Sequence, residues 1–66
     1  MEYSIKFWFD NEVVQEWVST DQPMVPRRAE LVFIEDEQGN TTKYKVLNIA
    51  YRYTNYTLIF VELEKA

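Results

Sequence analysis

The chain has 66 residues, with eleven acidic against seven basic side chains for a net charge of −4, and it contains neither cysteine nor histidine. Those counts exclude disulfide staples, zinc or copper sites of the usual kind, and Ser–His or Cys–His nucleophilic catalysis. The single glycine excludes a glycine-rich phosphate loop, and the acidic balance argues against broad, sequence-independent binding to nucleic acid.

The length predicts one domain spanning residues 1–66. A domain of this size buries only about 60% of its unfolded surface. With no cross-link or metal to help, its stability must come from dense aromatic packing or from self-association. Two tryptophans, five tyrosines and four phenylalanines are available for either. No apolar run approaches the roughly 20 residues of a membrane span. The opening MEYSIKFWFD lacks the basic-then-apolar form of a signal peptide, so a cytoplasmic location is expected. Without such a signal, the glycosylation-like tripeptides Asn40-Thr41-Thr42 and Asn55-Tyr56-Thr57 read as turn residues.

In chain order, Glu2 to Phe9 alternates, with Tyr3, Ile5, Phe7 and Phe9 on one face and Glu2, Ser4, Lys6 and Trp8 on the other. That is the pattern of a half-buried strand. Asp10-Asn11-Glu12 is turn chemistry. Val13 to Val18 fits a second strand, favoured by its three valines and the short turn before it, although Val13, Val14, Trp17 and Val18 also fit helical spacing with Asn11 as N-cap. A regular ladder after a two-residue turn places Phe7 with Val14 on one face and Trp8, Val13 and Trp17 on the other. Ser19 to Arg28, interrupted by Pro23 and Pro26, is a loop whose Met24 and Val25 are expected to plug one end of the core.

Glu30 to Glu35 is the third strand, and Gly39 supplies the positive φ of the turn that follows. This register pairs Ile34 with Thr42 and Val32 with Tyr44 on the core face. Leu31 and Phe33 then lie outside beside Lys45 and Lys43, whose stems would cover them. Along Thr41 to Thr54 the apolar positions slip from even (Tyr44, Val46) to odd (Leu47, Ile49, Tyr51, Tyr53), which predicts a bulge near Val46 to Asn48. After a Thr54-Asn55 turn comes a last strand, Tyr56 to Leu63, apolar on both faces. A two-residue turn pairs Tyr53 with Tyr56, Tyr51 with Leu58 and Ile49 with Phe60. Strands that bend and are buried on both sides belong to a small barrel, so the expected fold is an all-β, five-stranded antiparallel barrel with a core of Ile5, Phe7, Val32, Ile34, Val46, Ile49, Ile59 and Val61.

Pro26 to Val32 (PRRAELV), a short turn, Tyr44-Lys45-Val46-Leu47-Asn48-Ile49, and a closing strand ending Phe60-Val61-Glu62-Leu63 resemble small Src-homology-3-like barrels, in particular uncharacterised proteins of bacteria and phages. Those proteins carry a Val-Pro-Arg-x-Gly-Glu run ahead of a Tyr-x-Val strand. The likeness covers residues 24–63 and departs at Ala29, where the pattern has glycine. It implies a fold and a phage or mobile-element origin, and it brings no catalytic residue.

No carboxylate constellation suggests acid–base chemistry. The dense group Glu35-Asp36-Glu37 sits in a hairpin turn, where a solvated face is expected; a weak calcium contact is the minor alternative there, since the spacing of a dedicated calcium loop is absent. The chain is therefore expected to be a non-enzymatic interaction protein without a cofactor. Its partner is a protein: a second copy and, by analogy from size and charge, a host protein that it inhibits. More apolar surface than one interior can hold makes Trp8, Trp17, Tyr51, Tyr53 and Tyr56 the interface candidates, with Arg27 and Arg28 as a corner that could meet an anion or a partner. The competing reading is a nucleotide or single-stranded nucleic-acid binder, in which Tyr51, Tyr53 and Tyr56 stack on bases beside Lys43, Lys45 and Arg52.

Overall fold

A computed structural model describes residues 2–66. It is all-β, with five strands and no helix among the described residues: β1 (Tyr3–Phe9), β2 (Glu12–Ser19), β3 (Leu31–Glu35), β4 (Thr41–Tyr53) and β5 (Thr57–Lys65). The segment that also fitted helical spacing is thus a strand. They form one sheet in the order β2-β1-β5-β4-β3, curled into a half-barrel. Two expectations are corrected. The sheet is mixed, because β1 and β5 run parallel while the other three pairings are antiparallel. It is also not closed, because β2 and β3 are its two edges.

The place of β5 explains both. It is the strand that is apolar on both sides, and it takes the central position, where neighbours cover it on either edge. Parallel pairing with β1 sets Ile5 beside Ile59 and Phe7 beside Val61. The core lies on the concave face. Ile5, Tyr44, Val46, Ile59, Val61 and Leu63 are buried there, with Phe7, Phe9, Val14, Val25, Val32, Ile34 and Ile49 packed around them. The Phe9 and Tyr44 rings pack tilted at 54° with 5.1 Å between their centres, and Lys65 Nζ lies 5.9 Å from the centre of the Phe9 ring. At about 25 cal/mol per Å² of apolar area, each fully buried Ile or Val here stabilises the fold by roughly 1.5–3 kcal/mol.

Turns and bulges set which side chains reach this face. Asp10 and Asn11 both have positive φ (54° and 63°), the geometry of a two-residue type I′ hairpin turn. Register then shifts between Phe7 and Trp8: Trp8 opposes Val13, whereas Phe7 opposes Gln15, so Val14 is an extra residue. The expected pairing of Trp8 with Val13 holds, as does the packing of Val14 on the core. Trp17 does not join them. The bulge carries it across from Ile5, on the concave side.

The β3–β4 hairpin has the expected register, with Ile34 opposite Thr42 and Val32 opposite Tyr44, and Gly39 at φ 85°. Asp36 locks this turn: its Oδ1 accepts from the backbone N–H groups of Gln38 and Asn40, both at 2.9 Å. The expected bulge in β4 falls between Val46 and Asn48 and brings Ile49 opposite Val61. The last turn is one residue longer than expected. Thr54, Asn55 and Tyr56 all lie outside the strands, and Thr54 N–H donates to the carbonyl of Tyr56 at 2.9 Å. Tyr53 therefore opposes Thr57 and Tyr51 opposes Ile59, not Tyr56 and Leu58.

Candidate interaction surfaces

The curled sheet offers two faces, and the five aromatic candidates do not share one. Trp8 is on the convex face. Trp17, Tyr51 and Tyr53 are on the concave face. Tyr56 is in the β4–β5 turn. Regular alternation around two-residue turns groups Trp8 with Trp17, and Tyr53 with Tyr56. The bulge at Val14 and the three-residue turn undo both groupings.

The concave face is covered only in part. The loop between β2 and β3 drops Pro23, which is buried, and Val25 against one end of the core. Met24 does not plug it as expected: its side chain is 93% exposed, because Pro23 and Val25 on either side take the inward positions. Beside this lid lies a groove of about 300 Å³, lined by Tyr3, Pro23, Val25, Tyr51, Tyr53 and Ile59. Its floor is core, and its wall is a pair of tyrosines whose rings are nearly parallel (6°) with centres 6.3 Å apart. Tyr51 is 50% exposed and Tyr53 75% exposed. Side chains two apart on a strand share a face, which is why the bulge at Leu47 turns both rings inward together. The sequence reading missed Tyr3 and Pro23 as groove residues. The signal for them was the alternation of β1 and the Pro23–Pro26 spacing, which marks an extended segment.

On the convex face the rings of Trp8 and Phe60 pack at 6.5 Å and 42°. They border a shallow slot of about 300 Å³ with Ala50, Asn48, Glu62 and Asn11. Asn48 Nδ2 donates to Glu62 Oε1 at 3.0 Å, so the polar end of the slot is already paired. Arg27 and Arg28 sit at an exposed turn entering β3. Glu30 N–H donates to the Arg27 carbonyl at 3.1 Å, and the Glu30 carboxylate accepts from the Arg27 backbone N–H, so the corner is held through its backbone while both arginines are exposed. Among the described residues no group of three or more carboxylates is placed to hold a metal ion, and no helix is long and apolar enough to cross a membrane. No protein-family model, curated protein or solved structure matches this chain.

Proposed function

We propose that this chain is a non-enzymatic protein-interaction module that receives an extended segment of a protein partner in its concave tyrosine groove, and that it also associates with itself. The observation that carries this reading is the open concave face. Tyr51 and Tyr53 stand half or more exposed beside Tyr3, Pro23 and Val25, over a floor that is already core. Tyrosines offer large contact area with little side-chain entropy to lose, and they are enriched where proteins bind proteins. A floor formed by core residues is rigid before the partner arrives, which lowers the ordering cost of binding.

The resemblance of residues 24–63 to Src-homology-3-like barrels of bacteria and phages gives a finer form of the proposal: a cytoplasmic, phage-encoded inhibitor that occupies a functional surface of a host defence protein. Size and the charge of −4 support that form. A second reading is favoured by the parallel Tyr51 and Tyr53 rings, which suit stacking on a nucleobase.

Retention from bacterial lysate separates these readings. The probes are the wild-type chain, a Tyr51→Ser/Tyr53→Ser variant and a Trp8→Ser variant, each with and without nuclease. A protein held by wild type and by the Trp8 variant, lost from the tyrosine variant and indifferent to nuclease supports the module. Recovered nucleic acid that depends on the tyrosines supports the second reading. Retention indifferent to both tyrosines refutes the groove assignment.

A further inference from the structure

The strand β3 is an edge of the sheet, and it lacks the devices that usually protect one. Edge strands are commonly blunted by a bulge, a proline or a charge, because a row of free backbone groups invites another strand. The other edge, β2, carries the bulge at Val14 together with Glu12 and Glu16. In β3 the run Leu31-Val32-Phe33-Ile34 has no proline, charge or bulge. Its register fixes which backbone groups are free. Asp36 N–H donates to Asn40 O and Val46 N–H to Glu30 O, both at 2.9 Å. The even-numbered residues therefore bond to β4, and Leu31, Phe33 and Glu35 turn their N–H and C=O groups to the open side. Their side chains stand on the convex face. The stems of Lys43 and Lys45, expected to cover them, leave Phe33 64% and Leu31 53% exposed.

Charge decides the occupant. A basic corner, Arg27-Arg28, precedes the strand, and an acidic corner, Glu35-Asp36-Glu37, follows it. Antiparallel pairing of this strand with itself sets each basic corner beside the other copy's acidic one, so a second copy fits where a generic strand would have to supply the same polarity. We propose that two copies of this chain pair antiparallel through β3, with the two-fold axis at Val32. Leu31 of each copy then opposes Phe33 of the other in pairs that exchange both backbone hydrogen bonds. The same register brings Arg27-Arg28 beside Asp36-Glu37 of the second copy. The alternative centre, at Phe33, sets Leu31 against Glu35 and Glu30 against Asp36, which wastes apolar contact and opposes like charges. An interface of this size belongs to the weak class, so the dimer forms at micromolar concentrations and above.

This inference rests on the self-association part of the function proposed above and is independent of the tyrosine groove. Sedimentation equilibrium across a dilution series tests it, with circular dichroism confirming that each variant is folded. Wild type is expected to move from one chain to two at high micromolar concentration. Phe33→Lys, at an exposed position, is expected to stay monomeric. Arg27→Glu alone and Glu37→Lys alone, at positions that face each other in this register, should each weaken the dimer by about tenfold or more, and an equimolar mixture of the two should recover it as a heterodimer. Wild type that remains a single chain at high micromolar concentration overturns self-association and leaves partner binding in the groove untouched. A dimer that survives Phe33→Lys and dissociates on Tyr51→Ser/Tyr53→Ser moves the interface to the groove and overturns the edge assignment. Failure of the mixed charge variants to pair refutes the register.

Discussion

Exchanging two residues at the ends of β3 tests the backbone geometry most directly. Ala29 sits at φ 73°, in the left-handed region, at the third position of the Arg27–Glu30 turn, and its N–H donates to Val46 O at 2.8 Å. An L-residue there costs about 1–2 kcal/mol relative to the ordinary right-handed conformation. Glycine removes that strain but adds about 0.4–1 kcal/mol of unfolded-chain entropy to be lost on folding. Ala29→Gly is therefore expected to stabilise by about 0.5–1 kcal/mol net, which is about 2–8 °C in thermal midpoint for a domain of this length. At the other end, Gly39 has φ 85°, and an added Cβ would meet nothing closer than Glu35 Oε1 at 3.9 Å, an ordinary contact. Gly39→Ala thus carries only the conformational cost, of the same size and opposite sign. The two sites flank a five-residue strand about 16 Å long, far enough apart for their effects to add. The double variant should melt within a few degrees of wild type. The assay is thermal unfolding followed by circular dichroism in dilute solution. A lower midpoint for Ala29→Gly, or an unchanged one for Gly39→Ala, would refute the turn geometry.

Ile5→Ala, at a position 1% exposed, should cost roughly 2–5 kcal/mol, whereas Met24→Ser, on a side chain that touches almost nothing, should stay within about 0.5 kcal/mol in the same melt. Asp36→Ala should cost about 1 kcal/mol by orphaning two backbone N–H groups of the hairpin, and Glu37→Gln should cost nothing measurable, a contrast that denaturant midpoints resolve. Deleting Val14 should preserve every β1–β2 partner from Gln15 to Ser19, so Trp17 emission in a Trp8→Phe background stays unchanged; a shift in that emission would mean the ladder is regular and has slipped.

The sequence made visible what period and turn chemistry control. The β3–β4 register follows from Gly39 and the alternation of Val32 and Ile34, and the β4 bulge follows from the change of parity between Val46 and Ile49. Of the eight residues expected in the core, Ile5, Val46, Ile59 and Val61 are buried, while Phe7, Val32, Ile34 and Ile49 are only partly buried and pack against them; Tyr44 and Leu63 complete the buried set. Two errors have one cause, a miscount of a single residue. Nothing in Glu12–Ser19 marks Val14 as the extra one, because a valine fits a regular strand and a bulge equally well. Likewise Thr54-Asn55 is an acceptable two-residue turn, and only the Thr54 hydroxyl, which bridges to the backbone of Tyr56, draws a third residue into it. Since side chains alternate at a period of two, each miscount moves a set of aromatic residues to the opposite face. The parallel β1–β5 pairing had no local signal, because it joins residues more than fifty positions apart in sequence.

The openness of the concave face follows from the choice of central strand. β5 is apolar on both sides, so it gains most by taking neighbours on both edges, and it finds them in β1 and β4. That leaves β2 and β3 outermost. Closing them onto each other would demand a register between an eight-residue strand bent by Val14 and a five-residue strand bounded by turns. The curl of the sheet covers the core at one end with Phe9 and Tyr44, and the Pro23–Val25 segment covers it at the other. Tyr51, Tyr53 and Trp17 fall where neither cover reaches. The exposed tyrosine groove and the unprotected β3 edge are thus two consequences of one arrangement: a sheet too short to close and a loop too short to finish the lid.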